Sequence, residues 1–144
     1  MNHGTKMAFK INVAHKGKTF KVECENEDLI VYSIGDKIKG EEISNDLKGY
    51  ELEITGTSDK AGFCGVASIP GPGLKKVLLG YGHGMHKKPK GLKKVNKRPK
   101  GLRLRKTLRG REISLETVQI NTKVLKEGSK KFNDLFSKEE AKTE

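Results

Sequence analysis

The stretch Phe9-Lys10-Ile11-Asn12-Val13-Ala14-His15-Lys16-Gly17-Lys18-Thr19-Phe20-Lys21-Val22-Glu23-Cys24 decides the fold class. Apolar residues alternate with polar ones at Phe9, Ile11 and Val13, and again at Phe20, Val22 and Cys24 beyond the turn His15-Lys16-Gly17-Lys18. A period of two puts every second side chain on one face, so two half-buried strands joined as a hairpin are predicted. The same period returns in Gly49-Tyr50-Glu51-Leu52-Glu53-Ile54-Thr55, and again in Thr117 to Lys126, where Val118, Ile120, Thr122 and Val124 share a face. Between them lie a polar turn, Glu25-Asn26-Glu27-Asp28, and a β-branched run from Leu29 to Ile34 that reads as another short strand. Glycines at 35, 40 and 49 punctuate the next segment, and Pro70-Gly71-Pro72-Gly73 separates the apolar pieces Val66 to Ile69 and Leu74 to Leu79. Short strands at this spacing predict an all-β fold, a small β-barrel or sandwich. After Ser129, the spacing of Phe132, Leu135 and Phe136 predicts a short docked C-terminal helix that runs into a mixed-charge tail.

Length and composition fit one small domain. The 144 residues include no Trp and eight Phe and Tyr together, and 33% are hydrophobic, so the core is modest and a large enzyme cleft would be hard to enclose. Runs such as Leu29 to Tyr32 and Val77 to Leu79 fall far short of the roughly 18 to 20 apolar residues that a membrane-crossing helix needs. No apolar leader follows Met1, and Cys24 and Cys64 make no disulfide framework, so a reducing, cytoplasmic compartment is expected. Residues 1–7 carry no periodicity and read as a tail. The expected domain is 8–128, followed by the helix and tail over 129–144.

Charge is distributed unevenly. The net +12 conceals a block over residues 60–111 that holds 16 Lys and Arg and no acid. These residues are Lys60, Lys75, Lys76, Lys87, Lys88, Lys90, Lys93, Lys94, Lys97, Arg98, Lys100, Arg103, Arg105, Lys106, Arg109 and Arg111. Such a block repels itself unless a polyanion neutralises it, which makes nucleic acid the expected partner and all sixteen candidate contacts. If about six to eight of them meet phosphates, the slope of log K against log salt is roughly −5 to −7. Only Phe63 and Tyr81 are aromatic in the block, so a platform for stacked bases is poorly supported and folded RNA is favoured over single strands.

Residues 83–111 read as an exposed basic arm inserted between strands. Within it Pro89-Lys90-Gly91-Leu92 recurs as Pro99-Lys100-Gly101-Leu102, and the prolines and glycines forbid a long helix. Lys and Arg separated by Gly and Pro can follow a folded phosphate backbone; a flexible basic linker is the minority alternative for the repeat, and Leu92, Val95, Leu102 and Leu104 argue for some anchoring. Gly80, Gly82 and Gly84 read as a hinge at the root of the arm rather than as a phosphate cradle.

Catalysis finds little support. There is no Gly-x4-Gly-Lys-Ser/Thr and no Gly-x-Gly-x-x-Gly, and no carboxylate lies between Asp59 and Glu112 to serve a nuclease. Ser58, Asp59 and His83 have nothing in the sequence to bring them together as a triad. Cys64, His83 and His86, with Cys24 as a fourth, lack the paired-cysteine spacing of a zinc site. The expectation is no enzyme, no cofactor, no metal, no small-molecule substrate and no membrane partner.

Two blocks of the chain resemble the small-subunit ribosomal protein six family of archaea and eukaryotes. Gly49 to Gly56, followed by Ser58-Asp59-Lys60-Ala61-Gly62-Phe63, is similar to the family's Gly-Gly-x-Asp-x2-Gly-x-Pro-Met signature, with Thr57 in place of the second Gly and Cys64-Gly65 in place of Pro-Met. Arg105-Lys106-Thr107-Leu108-Arg109-Gly110 resembles the family's Arg-Lys-Ser/Thr-Val-Arg-Gly segment, and Val118-Gln119-Ile120-Asn121 with Lys123-Val124 resembles the strand after it. The resemblance implies a translation-factor-like β-barrel that binds small-subunit ribosomal RNA beside neighbouring ribosomal proteins, as a structural part of the ribosome. It also implies that Lys60, Arg105, Lys106, Arg109 and Arg111 face the RNA. The mixed-charge ending Ser137 to Glu144, in place of a long basic helix, resembles the archaeal short form. The competing reading is a free RNA- or DNA-binding barrel protein, a chaperone or chromatin factor.

Overall fold

The computed structural model describes residues 8–87 and 99–143. Strands β1 (Phe9–His15) and β2 (Lys18–Cys24) pair antiparallel, in register from Phe9 with Cys24 to His15 with Lys18. Lys16 and Gly17 connect them with φ of 45° and 81°, the two positive values of a type I′ turn, whose twist matches that of the strands it joins. Phe9, Ile11, Val13, Phe20 and Cys24 are buried, as their alternation requires.

The expectation for Leu29 to Ile34 is corrected. Residues Glu27–Val31 form a 3₁₀ helix rather than a strand. Asn26 caps it by accepting the Asp28 N–H at 3.0 Å, and Leu29 becomes fully buried in the core. One capping side chain and one deep apolar anchor outweigh the β-propensity of the run. Val66 to Ile69 is likewise a turn, closed by the Ile69 N–H on the Val66 carbonyl.

The remaining elements are β3 (Lys37–Lys39), β4 (Glu51–Asp59), β5 (Leu74–Gly80), β6 (Arg103–Arg109), β7 (Thr117–Lys126) and the helix α1 (Phe132–Thr143). Five strands form one sheet in the order β2-β1-β7-β4-β3, while β5 and β6 form a separate two-stranded ribbon. The β1–β7 pair is parallel, from Lys10 with Gln119 to Ala14 with Lys123, and places the two ends of the domain side by side. Strand β4 pairs antiparallel with β7 through three register shifts, bulges that bend it across the core. The protein is therefore mostly β with one short C-terminal helix.

No ladder joins the outer strands β2 and β3 among the described residues, so the sheets are not closed into a continuous barrel. Side chains span that gap instead: Cys24 Sγ and Asn26 Nδ2 both donate to the Glu42 carbonyl, at 3.7 and 3.2 Å. The core gathers Phe9, Ile11, Val13, Leu29, Ile38, Leu47, Tyr50, Leu52, Ile54, Ile113 and Ile120. Burying each large side chain of this kind contributes about 1.5 to 3 kcal/mol. Helix α1 adds to this core through Phe132 and Leu135, with the rings of Phe132 and Phe20 5.2 Å apart between centroids. The Tyr50 hydroxyl donates to the Lys130 carbonyl and ties the approach to α1 to the core.

Candidate nucleic-acid interface

Part of the acid-free block is a regular β-ribbon rather than an irregular arm. Strands β5 and β6 pair antiparallel from Leu74 with Arg109 to Gly80 with Arg103, and residues directly opposite one another share a face. One face carries Val77, Leu79, Leu104 and Leu108, with Lys75 and Lys106 among them. Leu108 is buried, which marks this face as the one turned toward the protein. The opposite face carries Lys76, Arg103, Arg105 and Thr107, together with the exposed Leu74 and Leu78. Alternation thus aligns Arg103 and Arg105 about 6.6 Å apart along one strand, with Lys76 on the adjacent strand. The result is an open face of cations set on apolar neighbours.

The other described candidates surround the ribbon. Lys60 is exposed in the turn after β4, where its N–H donates to the Glu116 carbonyl. Lys87 comes after the Gly82–Met85 turn, Lys100 lies in the turn closed by the Leu102 N–H on the Pro99 carbonyl, and Arg111 lies just beyond β6; all three are exposed. Lys75 is also exposed, whereas Lys106 is half-buried. Lys88, Lys90, Lys93, Lys94, Lys97 and Arg98, the first copy of the repeat, and the anchors Leu92 and Val95 lie outside the described residues. The glycines at the ribbon's end do not form the expected hinge. Gly82 and Met85 exchange N–H to carbonyl hydrogen bonds of 3.0 and 3.1 Å, and Met85 is buried, which pins the turn.

Arg109 differs from the rest. Its Nε donates to Asp59 Oδ2 at 2.9 Å and its Nη1 to the Pro72 carbonyl at 2.9 Å. Asp59 Oδ1 accepts the Phe63 N–H at 2.8 Å, so one buried carboxylate organises the loop after β4 and holds the end of β6. Burial pushes the Asp59 carboxyl up, but hydrogen bonds from Arg109 and Phe63 and the Arg109 charge outweigh it and hold the group below its ordinary 3.8. Arg109 is the one described member of the candidate set with a carboxylate partner among the described residues. The sequence singled out both residues but carried no signal that they pair.

The loop organised by Asp59 brings Phe63 and Cys64 to the turn bearing His83 and His86, beside β6. No three His, Cys, Asp or Glu residues among the described ones are placed to hold a metal ion. Cys24 is buried in the core, and Asp59, engaged by Arg109 and Phe63, is not aimed at a Ser58–His83 pair.

These elements occur in a chain that belongs to the ribosomal protein S6e family, matched over residues 7–137. The small ribosomal subunit protein eS6 of Methanococcus maripaludis strain C5 is 43% identical over 125 residues, covering 85% of this chain and 91% of that protein. The eS6 protein of Methanothermobacter thermautotrophicus is 39% identical over 137 residues, covering 93% and 99% respectively. That of Methanosphaera stadtmanae is 35% identical over 141 residues, covering 96% and 99%.

Proposed function

We propose that this protein is a non-catalytic structural constituent of the small ribosomal subunit, resident in cytoplasmic ribosomes, where it binds folded ribosomal RNA beside neighbouring ribosomal proteins. The observation that carries the reading is the open ribbon face of Lys76, Arg103 and Arg105, within a block of sequence free of acids, in a chain whose relatives bear the eS6 name. Its contribution is phosphate neutralisation, with affinity that falls steeply as salt displaces the protein from the counterion atmosphere.

The RNA-facing set is Lys60, Lys75, Lys76, Lys87, Lys100, Arg103, Arg105, Lys106 and Arg111, extended by Lys88, Lys90, Lys93, Lys94, Lys97 and Arg98. Arg109 belongs to the same face but acts mainly by bracing it against Asp59. The domain is 8–128 with α1 and its tail appended, and residues 1–7 lie outside it. The five-stranded sheet and the ribbon act as two walls of a partly open barrel. The single bridges of Ser58 with Cys64 and Gly65 with Arg109, which step from β4 to β6, support that architecture.

Sucrose-gradient sedimentation of a native extract tests the function. Stoichiometric migration with small subunits at moderate salt is expected, and recovery only in the light fractions would overturn the reading in favour of a free nucleic-acid-binding factor. Sequencing the RNA crosslinked to the protein assigns the partner in the same extract.

A further inference from the structure

A groove of about 590 Å³ lies between the Phe63 loop, the His83–His86 turn and β6. Its size is within the range of small-ligand sites, roughly 300 to 1,000 Å³. Phe63 is 36% exposed, a half-open aromatic ring at the mouth of the groove. His83 and His86 line a second side, with His86 set edge-on to Tyr81 at 5.3 Å and His83 Nε2 3.3 Å from the Gly65 carbonyl. Arg105, Lys106 and Thr107 of β6 line the third side. Among the described residues, no acid lines it.

The backbone adds a second feature. The Arg109 N–H donates to the Cys64 carbonyl and the Arg109 carbonyl accepts the Val66 N–H, so both main-chain groups of Arg109 point away from β5. In an antiparallel pair this orientation recurs at every second residue. The main-chain donors and acceptors of Thr107 and Arg105 therefore turn the same way, along the edge of β6 that borders the groove. An aromatic ring, an edge of alternating donors and acceptors and two cations form the complement of one nucleotide. A base can stack on Phe63 and hydrogen-bond to a strand edge while its phosphate meets Arg105 or Lys106.

We propose that this groove receives a single unstacked nucleotide of the RNA bound by the ribbon, its base against Phe63 and its phosphate toward Arg105 or Lys106, which flank the edge of β6 from its two faces. The assignment rests on the RNA-binding reading above and names a site within it. Sparse aromatics argue against a platform for successive bases, but one ring suffices for one base. The cluster is not visible in the sequence because Phe63, His83 and Arg105 are brought together by tertiary contacts, among them the Asp59–Arg109 brace, the backbone hydrogen bonds of Arg109 with Cys64 and Val66, and the Gly82–Met85 turn.

The test compares the full-length protein with Phe63→Leu and Phe63→Trp in binding to small-subunit ribosomal RNA transcribed in vitro, across a salt series. Loss of one base–aromatic stack should weaken the Leu variant about 5- to 150-fold, with an unchanged salt slope because no phosphate contact is removed. Trp should restore binding. Zero-length ultraviolet crosslinking of the wild type should join a nucleotide to the peptide bearing Phe63 or His83. Wild-type affinity in the Leu variant, with crosslinks confined to ribbon residues, would overturn the groove while leaving the RNA-binding reading intact. Failure of the wild type to bind the RNA would overturn both. Saturable binding of AMP or GMP alone, with RNA affinity unaffected by Phe63→Leu, would overturn the proposal in favour of a free-nucleotide site.

Discussion

Arg109 donates through Nε to the Asp59 carboxylate at 2.9 Å, across 50 residues of sequence and between the end of β4 in the five-stranded sheet and the end of β6 in the ribbon. The Asp59 side chain is 1% exposed and that of Arg109 12%, so the pair is largely out of water. It joins the folded core to the cationic face. Leaving either partner alone means burying an uncompensated charge.

Asp59→Ala and Arg109→Ala should therefore each destabilise the protein by about 3 kcal/mol, near the lower end of the range for a broken buried pair. Asp59→Asn should cost less, because it keeps an acceptor for the Phe63 N–H. The double variant should lose less than the sum of the single losses, since the second change removes a charge the first has already orphaned. Midpoints from urea denaturation check this, and strict additivity would show that the two side chains do not act together.

The same pair sets a response to acid. The Asp59 carboxyl is held below its ordinary 3.8 despite the opposing effect of burial, because the hydrogen bonds from Arg109 and Phe63 and the Arg109 charge favour its ionised form. A depressed folded value means that the contribution is complete above the unfolded carboxylate range and is lost as pH falls through the lower folded value. Stability of the wild type should fall more steeply below about pH 4 than that of Asp59→Asn. Denaturation at a series of pH values reads this directly, and parallel curves would refute it.

Neutralising the ribbon face should separate binding from folding. Lys76, Arg103 and Arg105 are exposed and have no ion-pair partner among the described residues, so replacing all three with Gln should shift stability little, within about 0.5 kcal/mol per site. If each meets a phosphate, the magnitude of the salt slope for ribosomal RNA should fall by about 2 to 3. Filter binding across a salt series, with thermal melting in parallel, measures both quantities. An unchanged slope would remove this face from the interface.

Gly110 sits just past β6, where the backbone of Gly71 crosses it. A Cβ there would overlap the Gly71 carbonyl oxygen and lie 2.6 Å from its carbon, and both obstacles are main chain that cannot swing aside. Gly110→Ala should cost about 1 to 3 kcal/mol or more, whereas Gly73→Ala, with nothing within 4 Å of the added carbon, should stay within about 0.5 kcal/mol. Comparison of the two melting curves isolates steric overlap from the general loss of a glycine.

The hairpin, β4, β7 and the C-terminal helix were legible because each is written as a local period that one buried face enforces, in Phe9 to Cys24, Glu51 to Thr55, Thr117 to Val124 and Phe132 to Phe136. The 3₁₀ helix at Glu27–Val31 was not, because Asn26 and Leu29 determine it through one hydrogen bond and one core contact that residue type does not reveal. The ribbon was half legible. Leu104 and Leu108 alternate with arginines at Arg103, Arg105 and Arg109, but the density of charge masked a strand whose partner lies outside the arm.

By itself the sequence determined the β character of the protein, the location of its excess charge and its family, since periodicity, charge count and motif are properties of neighbours along the chain. The tertiary structure alone decided the parallel pairing of β1 with β7, the engagement of Arg109 by Asp59, and the gathering of Phe63, His83 and Arg105 around one groove. Those contacts join residues far apart in sequence. Their free energy comes from desolvation and close approach, which exist only once the chain has folded.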